Sequence, residues 1–202
     1  MIVFPNAKIN IGLRILRKRA DGYHDLESVF YPLQLCDMLE ILPSDTGFND
    51  AKPEIYVSGL DVPASAENLC WKAACLLGNR HGTPRVRMHL HKKIPSGSGL
   101  GGGSSDASFT LLALNEMFDC GLNDALLRQY ASEIGSDCPF FILNRPALVS
   151  GRGEVLEPIP LDLSGYHLVL VFPEASVSTA EAYAGIRPSA SGMPLREILQ
   201  ME

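Results

Sequence analysis

The segment Pro95-Ser-Gly-Ser-Gly-Leu-Gly-Gly-Gly-Ser-Ser-Asp-Ala107 is the most unusual stretch of this sequence and holds five glycines. An alternating pattern over Val86–Leu90 indicates a strand before it, and an apolar run over Ser108–Phe118 indicates a helix after it. Glycine accepts positive φ and has no Cβ, so backbone N–H groups in such a loop can converge on a ligand beside a helix N-terminus. The order strand, glycine loop and helix therefore predicts a phosphate site, with the Ser104 and Ser105 hydroxyls at the helix start.

Other interpretations of the glycine segment are weaker. A Walker A loop needs a lysine after the glycines, and none is present. Gly97, Gly99 and Gly102 match G-x-G-x-x-G formally, which keeps a dinucleotide-binding fold as the alternative. That fold also wants an acidic residue at the end of a second strand, whereas Asp119 falls at the end of a predicted helix. A flexible linker would not be placed so tightly between a strand and a helix.

Composition sets the broad class. The chain has 202 residues, 17 Lys and Arg against 23 Asp and Glu, a net charge of −6, and 46% hydrophobic residues. This is the composition of one globular domain or two small ones, and it excludes collagenous, fibrous and disordered chains. Because the chain is acidic and has no long basic run, we expect neither nucleic acid nor an anionic membrane as a partner.

Cysteine usage points to a reducing compartment. The five cysteines are odd in number and never spaced as C-x-x-C, which favours buried thiols over a disulfide framework or a zinc knuckle. His89 and His91 share a strand face, but spacing supplies no third zinc ligand. The sequence has neither a signal-peptide pattern nor an apolar run near the roughly 18 residues of a membrane span. We therefore expect a cytoplasmic protein.

Periodicity and capping signals predict the remaining elements. Strands are predicted at Ile9–Ile15, Leu26–Leu42, Glu54–Val57, Ala147–Val149 and His167–Phe172, with a loop over Pro43–Pro53. Helices are predicted from an N-cap at Ser65 to Gly82, from Asn123 to Ile134, from the capping-box spacing of Ser178–Glu181, and around Leu195–Leu199. The segment Gly135–Phe141 is expected to lead into another extended stretch.

The motifs resemble a known kinase superfamily. Pro95–Ala107 is similar to the second signature motif of the galactokinase, homoserine kinase, mevalonate kinase and phosphomevalonate kinase (GHMP) superfamily, whose members hold the ATP phosphates in this loop. Ala7–Leu13, Arg19–His24 and Gly135–Phe141 resemble the motifs of the members that act on a cytidyl substrate. The resemblance runs from about Pro5 to the end of the chain, and the motifs occur in the family's order.

The resemblance implies a fold and a reaction. The fold would be α+β with two lobes, an N-terminal ATP-binding lobe over 1–155 and the start of a C-terminal lobe over 156–202. The reaction would be ATP-dependent phosphorylation of the 2-hydroxyl of 4-diphosphocytidyl-2-C-methyl-D-erythritol, in the methylerythritol phosphate pathway of isoprenoid precursor synthesis. Nothing after Phe172 resembles the family's third glycine-rich motif. We therefore expect a truncated chain with an incomplete C-terminal lobe, which leaves its own activity an open question.

Two residues carry the catalytic hypothesis. By resemblance Asp137 would be the general base, and Lys8 would lower the pKa of the substrate hydroxyl and steady developing negative charge. The residues alone allow plainer roles, since an aspartate near Gly135 can be a helix N-cap or a turn former and Lys8 can be a solvated strand lysine. A lysine between Ala7 and Ile9 nevertheless suggests a partner, and we hypothesise that Lys8 pairs with Asp137.

The resemblance also assigns the binding residues. The ATP set is Pro95, Ser96, Gly97, Ser98, Gly99, Leu100, Gly101, Gly102, Gly103, Ser104 and Ser105 for the phosphates, with Asn68 and Lys92 near the adenine. The substrate set is Tyr23, His24 and Tyr183 for the cytidine, with Asn10 and Thr179 for the erythritol or diphosphate portion. ATP is the co-substrate, and Mg²⁺ is expected, although no carboxylate is identified as its ligand.

Two other functions stay open at this stage. One is a related small-molecule kinase with a different alcohol substrate. The pair Tyr23 and His24 favours the cytidyl substrate over this alternative. The other is a non-catalytic nucleotide-binding remnant, which the missing third motif favours for the chain as it stands.

Overall fold

The computed structural model describes residues 1–44, 52–172, 182, 185–189 and 191–201. Its strands are β1 (Ile2–Val3), β2 (Asn6–Lys18), β3 (His24–Cys36), β4 (Met38–Pro43), β5 (Glu54–Gly59), β6 (Val86–Lys92), β7 (Ala147–Ser150) and β8 (Val155–Pro158). Its helices are α1 (Leu69–His81), α2 (Gly102–Met117), α3 (Asp124–Ile134), α4 (Cys138–Leu143) and α5 (Leu195–Ile198).

The chain divides into two compact units. The first contains Met1–Ile9 and Pro32–Asn144, and the second contains Asn10–Tyr31 and Arg145–Glu202. The predicted lobes, 1–155 and 156–202, come from the family resemblance rather than from these two units, and they stay a prediction.

The first unit is a sheet packed with helices. Its strand order is β1-β4-β6-β5, with β6 antiparallel to β4 and parallel to β5. Side chains of β6 alternate between buried and more exposed positions, so Val86, Met88 and Leu90 enter the core, as the period of two predicts. They join Leu77 of α1 and Leu111 of α2 in one apolar cluster. This core holds the strand before the glycine loop and the helix after it.

The second unit contains residues of a four-stranded sheet of order β2-β3-β7-β8. Val29 and Leu148 form its small core with Leu195 of α5. Arg14 fixes the segment before α5, because its guanidinium donates to the carbonyls of Met193 and Ser191, both at 2.7 Å.

Several predicted elements differ from the structure at their ends. The N-cap of α1 is Asn68 rather than Ser65, because the Asn68 side chain accepts a hydrogen bond from the backbone N–H of Cys70. The Ser65 hydroxyl instead accepts from the backbone N–H of Glu67, in the turn before the helix. The helix predicted from Ser108 begins at Gly102, inside the glycine segment. Gly82 and Asn123 lie at the helix ends, as predicted.

Three predictions about extended structure were wrong. The strand predicted over Leu26–Leu42 is broken at Asp37 into β3 and β4. Cys138–Leu143 is a buried helix with Pro139 in its first turn, because a short apolar run suits either a strand or a buried helix and proline fits the helix start. His167–Phe172 forms no strand although five of its residues form a continuous run of apolar, β-prone types, and Val169 and Val171 are exposed. The capping-box segment Ser178–Glu181 lies outside the described residues.

Within the described residues, no helix combines the length and the apolar character that crossing a membrane would need.

Candidate active site

The glycine loop is a series of tight turns that ends directly in α2. Gly97, Gly99 and Gly101 have φ values of 70°, 76° and 72°, in the left-handed region that favours glycine. Gly101 is the N-cap of α2 and provides no side-chain cap, and the first turn of the helix holds no acidic residue. The first-turn N–H groups of a helix have no intrahelical acceptor, so this uncapped end is suited to bind an anion.

Close packing requires glycine where α2 begins. A Cβ added to Gly101 would lie 2.8 Å from Cζ of Phe141 and 3.2 Å from Cε of Lys8, and one added to Gly102 would lie 2.8 Å from Cγ2 of Ile94. Backbone contact fixes the same region, since the N–H of Lys8 donates to the carbonyl of Leu100 at 2.9 Å. The Lys8 side chain therefore passes beside the start of α2.

The two predicted catalytic residues lie together. Nζ of Lys8 is 3.1 Å from Oδ2 of Asp137, as the pairing hypothesis requires. Lys8 is buried, whereas the Asp137 side chain is 33% exposed. Asp137 occupies the N-cap position of α4, but its side chain makes no capping hydrogen bond. The carboxylate is thus turned to the lysine rather than used as a helix cap.

A second buried lysine lies between two carboxylates. Nζ of Lys92 donates to Oδ2 of Asp106 at 2.7 Å and also to Oδ2 of Asp37. All three side chains are buried. The second oxygen of Asp106 has no hydrogen-bond partner among the described residues, and neither does the buried hydroxyl of Ser105. With one positive and two negative groups, this triad holds one excess acidic group in the interior.

Burial and the neighbouring charges shift the pKa values of Asp106 and Lys92. Burial raises the pKa of Asp106 to about 7, with nearby Asp37 adding to the effect and Lys92 opposing it. Burial disfavours the charge on Lys92, yet its two carboxylate partners raise the pKa of that ammonium overall. Cys70 faces the same cluster, and burial raises the pKa of its thiol. Asp106 is therefore a carboxyl group that titrates near neutral pH.

A cavity of about 160 Å³ lies beside the triad. Asn68, Lys92, Ser96 and Asp106 line it together with apolar side chains, which are Val62, Pro63, Leu69 and Leu90. The structure thus brings Asn68 and Lys92 to one cavity with a residue of the glycine loop. The Asn68 amide is already engaged, because it accepts from the N–H of Cys70 and donates to the carbonyl of Pro63.

The predicted cytidine residues lie in the second unit. Tyr23 stands in the turn before β3 with its side chain exposed, and the guanidinium of Arg152 covers its ring at 4.8 Å from the centroid. The N–H of Tyr23 donates to Oδ1 of Asp21 at 3.1 Å, which fixes the turn. His24 begins β3, and Asn10 is an exposed residue of β2. Thr179 and Tyr183 lie outside the described residues.

Sequence reasoning missed Asp37 and Arg152. Asp37 stands alone between Leu35-Cys36 and Met38-Leu39, and a charge inside such an apolar run usually has a buried partner. That signal could have identified it. The stacking of Arg152 on Tyr23 joins residues far apart in sequence, and no local pattern indicates it.

We next consider which of the described residues could bind a metal ion. Among the described residues there is no group of three or more His, Cys, Asp or Glu placed to hold a metal ion. His89 and His91 instead form hydrogen bonds with the Ser58 hydroxyl, at 2.9 and 3.0 Å. The unpartnered Ser105 hydroxyl is a hard oxygen donor of the type that Mg²⁺ accepts.

Replacing Asp106 with Asn tests the shifted pKa. Between about pH 4 and 7 the folded protein keeps a proton on Asp106 that the unfolded chain releases, so this group lowers the free energy of unfolding as pH rises. Asp106→Asn cannot titrate, so its stability relative to the wild type should increase across that range. Urea unfolding at a series of pH values measures this difference.

The surface variant Glu133→Gln, which alters only an exposed pair with Arg80, is the control and should show no such trend. A difference between Asp106→Asn and the wild type that stays constant from pH 4 to 7 would contradict the assignment.

The region that contains this site matches a domain found in known kinases. Residues 68–145, which include the glycine loop, α2 and Asp137, match the GHMP kinases N terminal domain. A crystal structure of a 4-(cytidine 5'-diphospho)-2C-methyl-D-erythritol kinase superimposes with a TM-score of 0.78 at 35% identity, covering 99% of this chain and 70% of that chain. The mevalonate kinase of Methanococcus jannaschii, at 14% identity, has a TM-score of 0.56 and covers 79% and 55%, which supports the fold alone.

Curated sequences agree with the structural comparison. A 4-diphosphocytidyl-2-C-methyl-D-erythritol kinase of Bacteroides fragilis is 49% identical over 203 residues, covering 99% of this chain and 73% of the relative. The corresponding kinase of Moorella thermoacetica is 41% identical over 188 residues, covering 93% and 64%. The α+β kinase fold predicted from the motifs is thereby confirmed, and the chain belongs to the family of 4-diphosphocytidyl-2-C-methyl-D-erythritol kinases.

Proposed function

We propose that this chain transfers the γ-phosphate of ATP to the 2-hydroxyl of 4-diphosphocytidyl-2-C-methyl-D-erythritol, a step in isoprenoid precursor synthesis. The observation that carries the proposal is the Lys8–Asp137 pair beside the uncapped start of α2. A base, a cation and a phosphate-binding helix end are the parts that phosphoryl transfer to an alcohol needs.

The start of α2 supplies the phosphate contacts. Its free N–H groups and the positive end of the helix dipole favour the negative charge of the ATP phosphates. A Cβ added to Gly97 or Gly99 would meet nothing within 4 Å, so the loop backbone at these two glycines has open space on that side, into which a phosphate can come close. We assign the residues from Pro95 to Ser105 to these phosphates.

Asp137 and Lys8 divide the work of the transfer. An alkyl hydroxyl is a poor nucleophile, and Asp137, a partly exposed carboxylate, accepts its proton as it attacks the γ-phosphorus. The bond to the leaving oxygen of ADP breaks as the new ester bond forms. The buried ammonium of Lys8 stabilises the negative charge on the reacting oxygens and holds the Asp137 carboxylate in place.

Magnesium would bind with the nucleotide. Kinase sites usually hold Mg²⁺ through substrate phosphates, waters and only one or two protein oxygens. Ser104 and Ser105 are the residues that would hold it at the start of α2. Once bound, the ion neutralises phosphate charge during transfer.

The nucleotide bases would go to two different places. We assign the adenine to the cavity lined by Asn68 and Lys92, where apolar side chains can cover its faces. We assign the cytosine to Tyr23 and His24, with the exposed Tyr23 ring available for stacking beside the Arg152 guanidinium. Asn10, Thr179 and Tyr183 complete the proposed substrate site, and the reaction would take place in the cytoplasm, where thiols stay reduced.

Asp137→Asn tests the proposed base. The variant keeps the side-chain shape but cannot accept the proton, so turnover should fall by about 10²- to 10⁴-fold. ATP affinity should stay within about twofold of the wild type, because the phosphate contacts come from the loop backbone. Phosphorus NMR of the new phosphomonoester and calorimetry with ATP measure the two effects, with Glu133→Gln as the control. Full turnover by Asp137→Asn would remove it as the base.

The choice of substrate is tested by titrating the chain with CDP and, separately, with UDP. Stacking tolerates any base, so a preference must come from hydrogen bonds to the cytosine edge. We expect CDP to bind at least tenfold more tightly, a difference of about 1.4 kcal/mol. Equal affinities would instead favour a kinase for a different alcohol.

A further inference from the structure

We propose that Asp37 is a positioning residue for the phosphate loop, acting through Lys92 to fix both ends of the segment Pro95–Ser105 relative to each other. This inference deepens the proposed function and rests on it for the identity of the ligand. Asp37 lies at the break between β3 and β4, outside the glycine loop and the catalytic pair.

Asp37 holds the residues that enter the loop. Its Oδ1 accepts hydrogen bonds from the backbone N–H groups of Lys93 and Ile94, at 2.5 and 2.9 Å. These two residues connect β6 to Pro95. Asp37 is itself anchored, because its backbone N–H donates to the carbonyl of Pro5 at 2.9 Å. The direction in which the chain leaves β6 is therefore set by one carboxylate.

Lys92 carries the connection to the end of the loop. Its ammonium bonds Oδ2 of Asp37 and, at 2.7 Å, Oδ2 of Asp106. Asp106 follows Ser105 directly and belongs to the first turns of α2. The path from Ile94 through Asp37 and Lys92 to Asp106 thus spans the loop with three buried side chains.

Buried charged side chains are suited to fixing the loop, because their hydrogen bonds are strong and depend on direction. Charge-assisted hydrogen bonds are stronger than neutral ones, and a buried ion left without its partner is strongly destabilising. The three side chains consequently have few alternative arrangements. Apolar contacts at the loop, such as that of Ile94 with Gly102, limit approach but do not set direction in the same way.

The triad also explains why a net acidic cluster is tolerated near a phosphate site. An excess negative charge there would oppose an anionic ligand by itself. It is tolerable because Oδ1 of Asp37 is satisfied by two N–H groups and Asp106 holds its proton more readily than an ordinary carboxyl group. The cluster can then orient the loop without repelling the phosphates strongly.

The test compares Asp37→Asn with the wild-type chain and with the Glu133→Gln control. The amide can still accept from the backbone N–H groups of Lys93 and Ile94, but its NH₂ group cannot pair with the Lys92 ammonium. We expect hydrogen exchange to accelerate in peptides covering 95–105, while peptides of β4 and α3 keep wild-type rates. ATP should bind at least tenfold more weakly, and CDP affinity should stay within twofold.

The outcomes separate positioning from general stability. Uniformly faster exchange, an equal loss of ATP and CDP affinity, or unchanged ATP affinity would overturn the proposal. If Asp37→Asn does not fold, Asp106→Ala takes its place, because it leaves Asp37 and Lys92 paired and removes the acceptor at the far end of the loop. Wild-type loop exchange and ATP affinity in Asp106→Ala would then overturn the proposal.

The failure of the proposed function would have a different signature. A wild-type chain that binds no ATP would contradict the phosphate assignment. The exchange comparison needs no ligand, so it would still decide whether Asp37 positions the loop.

Discussion

The site depends on the close approach of backbone at Gly101 and Gly102. A Cβ at either position would meet a neighbour at 2.8 Å, the Phe141 ring in one case and the Ile94 side chain in the other. Only without those side chains can α2 begin where it does, with its first N–H groups uncapped and Lys8 alongside. The Lys8–Asp137 pair, the proposed phosphate contacts and the adjoining cavity all lie beside this helix start.

Two buried lysines serve this region in different ways. Lys8 pairs with a carboxylate that is 33% exposed and can therefore meet a substrate. Lys92 pairs with two carboxylates that are both buried, an arrangement suited to fixing structure. The difference in exposure of the partner, rather than the type of charge, separates the pair proposed to react from the pair proposed to position the loop. The same contrast explains why Asp106, deep in the triad, has a pKa near neutrality.

Whether the sequence predicts a feature of this structure depends on how far apart in the chain the contacting residues are. The strand, glycine loop and helix order, the ends of α1 and α3 at Gly82 and Asn123, and the pairing of Lys8 with Asp137 follow from local patterns and family motifs. The helix α4 was missed because six apolar residues fit a strand or a buried helix equally well. The Asp37–Lys92–Asp106 triad and the stacking of Arg152 on Tyr23 join distant residues, and only tertiary packing brings them together.

The phosphate assignment is tested most directly by a crystal structure of this chain with a non-hydrolysable ATP analogue. The account predicts that phosphate oxygens lie within about 3 Å of the backbone nitrogens at the start of α2. It also predicts that the terminal phosphate is the one nearest Lys8 and Asp137. A triphosphate bound away from the glycine loop, or one with its terminal phosphate remote from that pair, would contradict the account.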